Sequence, residues 1–194
     1  MIRAFLAFDV SEDVRQNLGG LLRTFTPQTE NVRWVDPAQM HGTLKFFGDI
    51  DEAFLMDAVS QVIEREAQSF APAQMHAVGV GVFPNWKYPR IFWSGFTGDV
   101  ETVLGWHQRL ESAFTEFNIA KDPRAFRMHL TLGRVRSPLK NAPWLKTLEK
   151  MVTRDFGSTT LDTLVLYKSE LTKTGPIYTA LKSYPLTSLA SPLK

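Results

Sequence analysis

No cysteine occurs among the 194 residues, which excludes a disulfide framework, a cysteine-ligated metal and a thiol nucleophile. A cysteine-free chain also suits a reducing compartment. No apolar run approaches the roughly 18 residues of a membrane helix. The start, "MIRAFLAFDVSEDV", turns acidic too soon for a secretory leader, so the expected setting is the cytoplasm, away from any membrane. The glycine patterns of phosphate loops and dinucleotide folds are absent; "GVGVFP" is too short for either. No G-x-S-x-G turn presents a serine nucleophile. Excess charge of one sign is lacking too, with 22 basic against 20 acidic residues and a formal net charge of +2.

What the chain does have is a hydrophobic fraction of 44%, with 12% aromatics, enough for a real core. Only the tail "SLASPLK" is expected to be loose. "IRAFLAFDV" (2–10) is apolar on both faces, as a central strand should be. Ser11, followed by acids, caps a helix running to about Phe25. "VRWV" and "HGTLKFFG" read as strands, residues 51–69 as a helix, and "MHAVGVGVF" with "RIFWSGF" as a hairpin joined by "PNWKYP". A helix near 99–118, a strand at 127–135 and a helix from about Ala142 to Arg154 follow. Two closing strands, "TLDTLVLYKSEL" and "PIYTALKSYPL", end the chain. Without regular βαβ alternation, the fold class is α+β with mainly antiparallel sheet.

One pattern repeats. His-x-Thr-Leu occurs at 41–44 in "MHGTLKFFG" and again at 129–132 in "MHLTLGRVR", so the chain reads as two related halves without a linker. In a strand, residues i and i+2 share a face. His41 projects with Thr43 and Lys45, and His129 with Thr131, Arg127 and Gly133, each pair backed by apolar residues. Two imidazoles and two hydroxyls suit a phosphodiester. A neutral imidazole takes a proton from attacking water, while a protonated one gives a proton to the leaving oxygen. Threonine hydroxyls donate to non-bridging oxygens without adding negative charge. No carboxylate shares the histidine faces and neither copy has His-x-His spacing, so no metal or other cofactor is expected.

Charge is distributed unevenly around the copies. From Lys121 to Lys150 eight basic residues face Asp122 and Glu149, a local +6, whereas Glu30–Glu52 carries −3. This is either solvated surface or a phosphate-attracting rim.

Paired His-x-Thr motifs resemble the 2H phosphoesterase superfamily, and within it the RNA 2′,3′-cyclic phosphodiesterases, also called 2′-5′ RNA ligases (the ThpR/LigT-like branch). "RAFLAFDV", "VRWVDPAQMHGTLKFFGDI", "GVFPNWKYPRIFWSGF", "HLTLGRVR" and "LYKSELTKTGPIYTALKSYPL" come in the family's order. The resemblance implies one domain over 1–194, built of two intertwined pseudo-symmetric lobes around a central cleft, each lobe bearing one motif. It implies metal-independent opening of an RNA terminal 2′,3′-cyclic phosphate to a 2′-phosphomonoester, with His41 as proton donor, His129 as acceptor, and Thr43 and Thr131 as phosphate binders. Partners are then RNA 3′ ends carrying that cyclic phosphate, including tRNA fragments or nucleotides, and the protein is expected to act as a monomer. Joining or cleaving 2′-5′ linkages, or nucleotide binding without turnover, are the alternatives.

Two positions depart from the family. Gly42 replaces a bulky apolar residue, which would loosen packing behind the first strand, and Met128 stands where proline is common. Lys45 and Arg127 are possible substrate contacts or plain surface charges. Arg134 continues the second motif, but strict alternation points it away from His129. It reaches the cleft only through a bulge, so a structural ion pair is expected. Trp34, Phe47, Trp86 and Tyr178 could stack a base, with core packing the expected role of each. His76 and His107 read as buried, hydrogen-bonded histidines.

Overall fold

The computed structural model describes residues 1–139, 142–173 and 175–187; the tail "SLASPLK" and Lys140 lie outside them. Among the described residues nine strands form one antiparallel sheet: β1 (Ile2–Asp9), β2 (Val32–Trp34), β3 (His41–Ile50), β4 (Ala73–Phe83), β5 (Ile91–Gly98), β6 (Leu130–Val135), β7 (Asp155–Leu161), β8 (Thr163–Leu171) and β9 (Pro176–Pro185). Their order is β7-β4-β5-β6-β3-β1-β8-β9, with β2 pairing β6. Counted outward from the centre, β3-β1-β8-β9 on one side answers β6-β5-β4-β7 on the other. That is the expected pair of pseudo-symmetric lobes.

The helices explain how the lobes interlock. Helix α1 (Glu12–Phe25) begins as expected: Ser11 Oγ accepts from the Val14 N–H at 3.4 Å, with Glu12 and Asp13 in the first turn. Its buried residues Val14, Leu18, Leu21 and Leu22 join Val80 and Val82 of β4, Phe92 of β5, Leu130 and Leu132 of β6, and Leu148 of α5 (Leu145–Glu149) in one core. The short α2 (Glu52–Phe54), a π-helical stretch Leu55–Val59, α3 (Ser60–Ala67) and α4 (Val100–Phe114) cover the other core. There Ala4, Leu6 and Phe8 of β1 meet Leu55, Ile63, Trp106 and Phe114. The chain therefore passes repeatedly between lobes: β1 lies in one, α1 packs on the other, and β3 returns.

Three expectations are corrected. The stretch 160–171 is not one strand. It divides at Asp162 into the end of β7, which pairs with β4, and β8, which pairs with β1. One residue thus links a sheet edge to a strand near the opposite edge, and consecutive Cα atoms are only about 3.8 Å apart, so the sheet must curl strongly. Gly42 does not loosen packing either. A Cβ there would run into the Phe8 ring, which is fully buried and meets Phe96 edge-on at 5.8 Å. The second motif strand, expected from residue 127, starts at Leu130, so His129 stands just ahead of it.

Candidate active site

The two motif strands are neighbours at the centre of the sheet, with Gly42 opposite Leu130 in antiparallel register. That register sets His41 across from Thr131 and Thr43 across from His129, where facing Cβ atoms lie about 4.5–5.5 Å apart and diagonal ones about 7–8 Å. The imidazoles occupy one diagonal of a square and the hydroxyls the other. All four side chains are half-buried, while Gly42, Leu44, Leu130 and Leu132 between them are buried on the opposite face. No hydrogen bond ties the Thr43 or Thr131 hydroxyl to another described residue.

Both rings are held alike. His41 Nδ1 lies 2.8 Å from the Gln39 carbonyl oxygen, and His129 Nδ1 lies 2.6 Å from that of Arg127. A carbonyl only accepts, so Nδ1 carries the proton in each ring and Nε2 is left for chemistry. Phe5 stacks on His41 at 4.8 Å and Tyr178 meets it edge-on at 5.1 Å. On the other side Phe83 meets His129 edge-on at 5.3 Å. These walls have an electrostatic effect. Burial pushes both histidines below their ordinary value, the backbone bonds to Gln39 and Arg127 raise them again, and the Arg134 guanidinium lowers both. His41 alone is also raised by a carboxylate, Asp9.

Each motif carries a bulge at its leucine, and the bulges decide which further side chains reach the cleft. Along β3 the register with β1 slips between Thr43, which pairs with Ala7, and Lys45, which pairs with Leu6. Leu44 is the extra residue, and Lys45 turns into the core. There Lys45 is 6% exposed. Its Nζ lies 2.7 Å from Glu111 Oε1 and donates to the Ala120 carbonyl at 2.7 Å. Lys45 thus shares no face with His41 and is removed from the substrate contacts.

Along β6 the register with β5 slips between Thr131, which pairs with Trp93, and Gly133, which pairs with Phe92. This bulge at Leu132 turns Arg134 onto the histidine face, where it is exposed and makes no ion pair with a described carboxylate. The expected structural ion pair is therefore replaced by a guanidinium whose field reaches His41, His129 and Tyr178. At the equivalent place in the other lobe, Phe46 pairs with Phe5 and is 53% exposed. Strict alternation from His41 would instead turn Phe46 into the packed face.

Arg127 is exposed beside His129, its guanidinium 5.9 Å from the centre of the Phe83 ring. Of the four aromatic candidates, Tyr178 alone flanks a motif histidine. Burial raises its phenol, against Arg134, Arg33 and Arg3. Trp34 packs on Phe92 and Trp144 and donates to Thr29 Oγ1 at 2.6 Å. Phe47 and Trp86 pack against the two cores. His107 stacks on Phe126 at 4.0 Å and is only half-buried. His76 is exposed, 3.5 Å from Asp155. Neither is the buried, hydrogen-bonded histidine expected.

Sequence reasoning passed over Phe5, Asp9, Tyr167 and Phe83. The alternation of Phe5, Ala7 and Asp9 on β1 was the available signal, masked because Ala4, Leu6 and Phe8 between them are apolar as well. Among the described residues no group of three histidines or carboxylates could hold a metal ion, and no helix is long and apolar enough to cross a membrane.

Known proteins resemble this chain in sequence and fold. The family model "LigT like Phosphoesterase" matches residues 8–93 and 98–178. The RNA 2′,3′-cyclic phosphodiesterase of Methanothermobacter thermautotrophicus is 32% identical, over 95% of this chain and 99% of its own. That of Methanocaldococcus jannaschii is 29% identical over 94% and 100%. The crystal structure of the Thermus thermophilus protein TT0787 superposes with a TM-score of 0.81 at 27% identity, covering 97% of this chain and 100% of that one. E. coli LigT complexed with 3′-AMP, at 21% identity and a TM-score of 0.76, covers 96% of this chain and 99% of its own, and shares the fold.

Proposed function

Because the chain belongs to the LigT-like phosphoesterase family, we propose that it hydrolyses the terminal 2′,3′-cyclic phosphate of RNA to a 2′-phosphomonoester. The observation that carries this reading is the square of two imidazoles and two hydroxyls, with each ring held through Nδ1 and neither Nε2 bonded by a described residue. Water attacks phosphorus from the His129 corner, and His129 Nε2 takes its proton. The P–O3′ bond breaks toward the His41 corner, and His41 Nε2–H protonates the departing oxygen. An in-line displacement needs its base and acid on opposite sides of phosphorus, and the diagonal supplies that. Thr43 and Thr131 donate to the non-bridging oxygens. Arg134 neutralises charge on the same phosphate, and Arg127 and Tyr178 border the terminal nucleoside. The chain acts as one domain of two intertwined lobes, in the cytoplasm and as a monomer.

The experiment is incubation with a short RNA ending in a 2′,3′-cyclic phosphate, with product identification. A 2′-phosphate formed at the same rate with and without EDTA is expected; a 3′-phosphate, or loss of rate with chelator, would overturn the scheme. The kcat/KM profile should be bell-shaped. Burial favours the neutral form of both free-enzyme histidines, so both limbs should fall below the ordinary histidine value of 6.5. Arg134→Ala should lower kcat/KM about 10- to 100-fold, as expected for losing a charged hydrogen bond of about 1.5–3 kcal/mol. Arg134→Lys should recover only part of it, because the guanidinium fork grips two oxygens at once.

A further inference from the structure

The two halves of the square differ in one charged neighbour. Asp9 closes β1 directly opposite His41, on the sheet face it shares with Phe5 and Ala7. Continuing the pairing of Trp93 with Thr131 and Ser94 with Leu130, the residue opposite His129 is Gly95, which has no side chain to offer. We propose that Asp9 is the positioning residue that makes His41, and not His129, the proton donor of the pair. The inference rests on the acid–base reading above and adds the cause of its asymmetry.

The carboxylate is fixed in place. Tyr167 Oη lies 3.1 and 3.0 Å from its two oxygens, and Arg15 lies 3.2 Å away. The Tyr167 hydroxyl, pushed up to about 12 chiefly by burial and then by Asp9, stays protonated and donates throughout the working range. Its ring lies 6.2 Å from that of His41, so the Asp9–Tyr167 pair borders the imidazole. Asp9 does not bond His41 Nδ1, which donates to Gln39. It acts across the strand pair, as a fixed negative charge favouring imidazolium over imidazole. The other groups facing His41 are Arg15 from α1 and Arg134 from β6, which oppose Asp9, and the neutral phenols Tyr167 and Tyr178 from β8 and β9. Among the described residues, Asp9 is the one carboxylate that acts on either motif histidine. Its side chain is 44% exposed, so solvent screens the coupling to a several-fold effect rather than orders of magnitude.

Asp9→Asn keeps the size and the oxygen that accepts from Tyr167. NMR titration of the two imidazoles should show His41 losing its proton at lower pH in this variant, with His129 unmoved and Asp9→Glu close to wild type. The kcat/KM profile should follow, because an acid must be protonated to act: the alkaline limb moves to lower pH while the acidic limb stays. The loss should be several-fold on the alkaline side of the profile and slight on its acidic side, whereas a purely structural defect would lower the whole curve. A His41 titration identical in wild type and Asp9→Asn overturns the inference, as does a shifted titration with an unmoved alkaline limb. Failure of the wild type to open any cyclic phosphate, with the His41 shift present, strikes the proposed function instead.

Discussion

Replacing either histidine of the square should lower kcat/KM on a cyclic-phosphate RNA about 10²- to 10⁴-fold, the range for removing a general acid or base. His41→Ala and His129→Ala should each reach it, and the double variant should lose much less than the product of the two, because the pair acts in a single displacement. His41 is sandwiched by Phe5 and Tyr178, so alanine there also opens a gap. His41→Gln fills more of that space without supplying an acid, and should be as inactive as alanine with a smaller drop in Tm. Full activity in either single variant, with Tm preserved, would end the paired-histidine mechanism. A deficit in Tm alone, with normal kcat, would make these rings structural.

The second large effect concerns stability. Lys45 and Glu111 are 6% and 8% exposed and pair at 2.7 Å. Glu111 Oε2 also accepts from the Asp122 N–H at 3.1 Å, and Lys45 reaches the Ala120 carbonyl. The pair thus fastens the segment leading toward His129 to the strand that carries His41. Removing one member leaves the other charge buried and uncompensated, which costs about 3–5 kcal/mol. For a chain of this size, Lys45→Met should lower Tm by roughly 6–20 °C. Changing both, Lys45→Met with Glu111→Leu, should recover most of that loss, since apolar replacements for a buried ion pair are often neutral or better. Unchanged Tm in Lys45→Met would show that water reaches Glu111.

The sequence alone revealed the histidine–threonine pairs because a period of two needs no partner strand to be read. Ser11 capping α1 and the 73–98 hairpin were legible for similar local reasons. Bulges are different. Leu44 and Leu132 are extra residues only relative to β1 and β5, and nothing in "HGTLKF" or "HLTLGR" announces them. The expectations for Lys45 and Arg134 both miss because of that inversion of facing. The division at Asp162 was hidden likewise, because "TLDTL" is a plausible strand until its halves are seen pairing with β4 and β1. Asp9 escaped notice because its relation to His41 is one of register between strands 32 positions apart.

The Asp162 junction bears on how the two halves can move. Since β7 runs into β8 through that one residue, a swing of one half against the other would bend a stretch laddered to neighbours on both sides of the joint. Such a joint resists that swing, because the ladders to β4 and β1 on either side of Asp162 would have to give first.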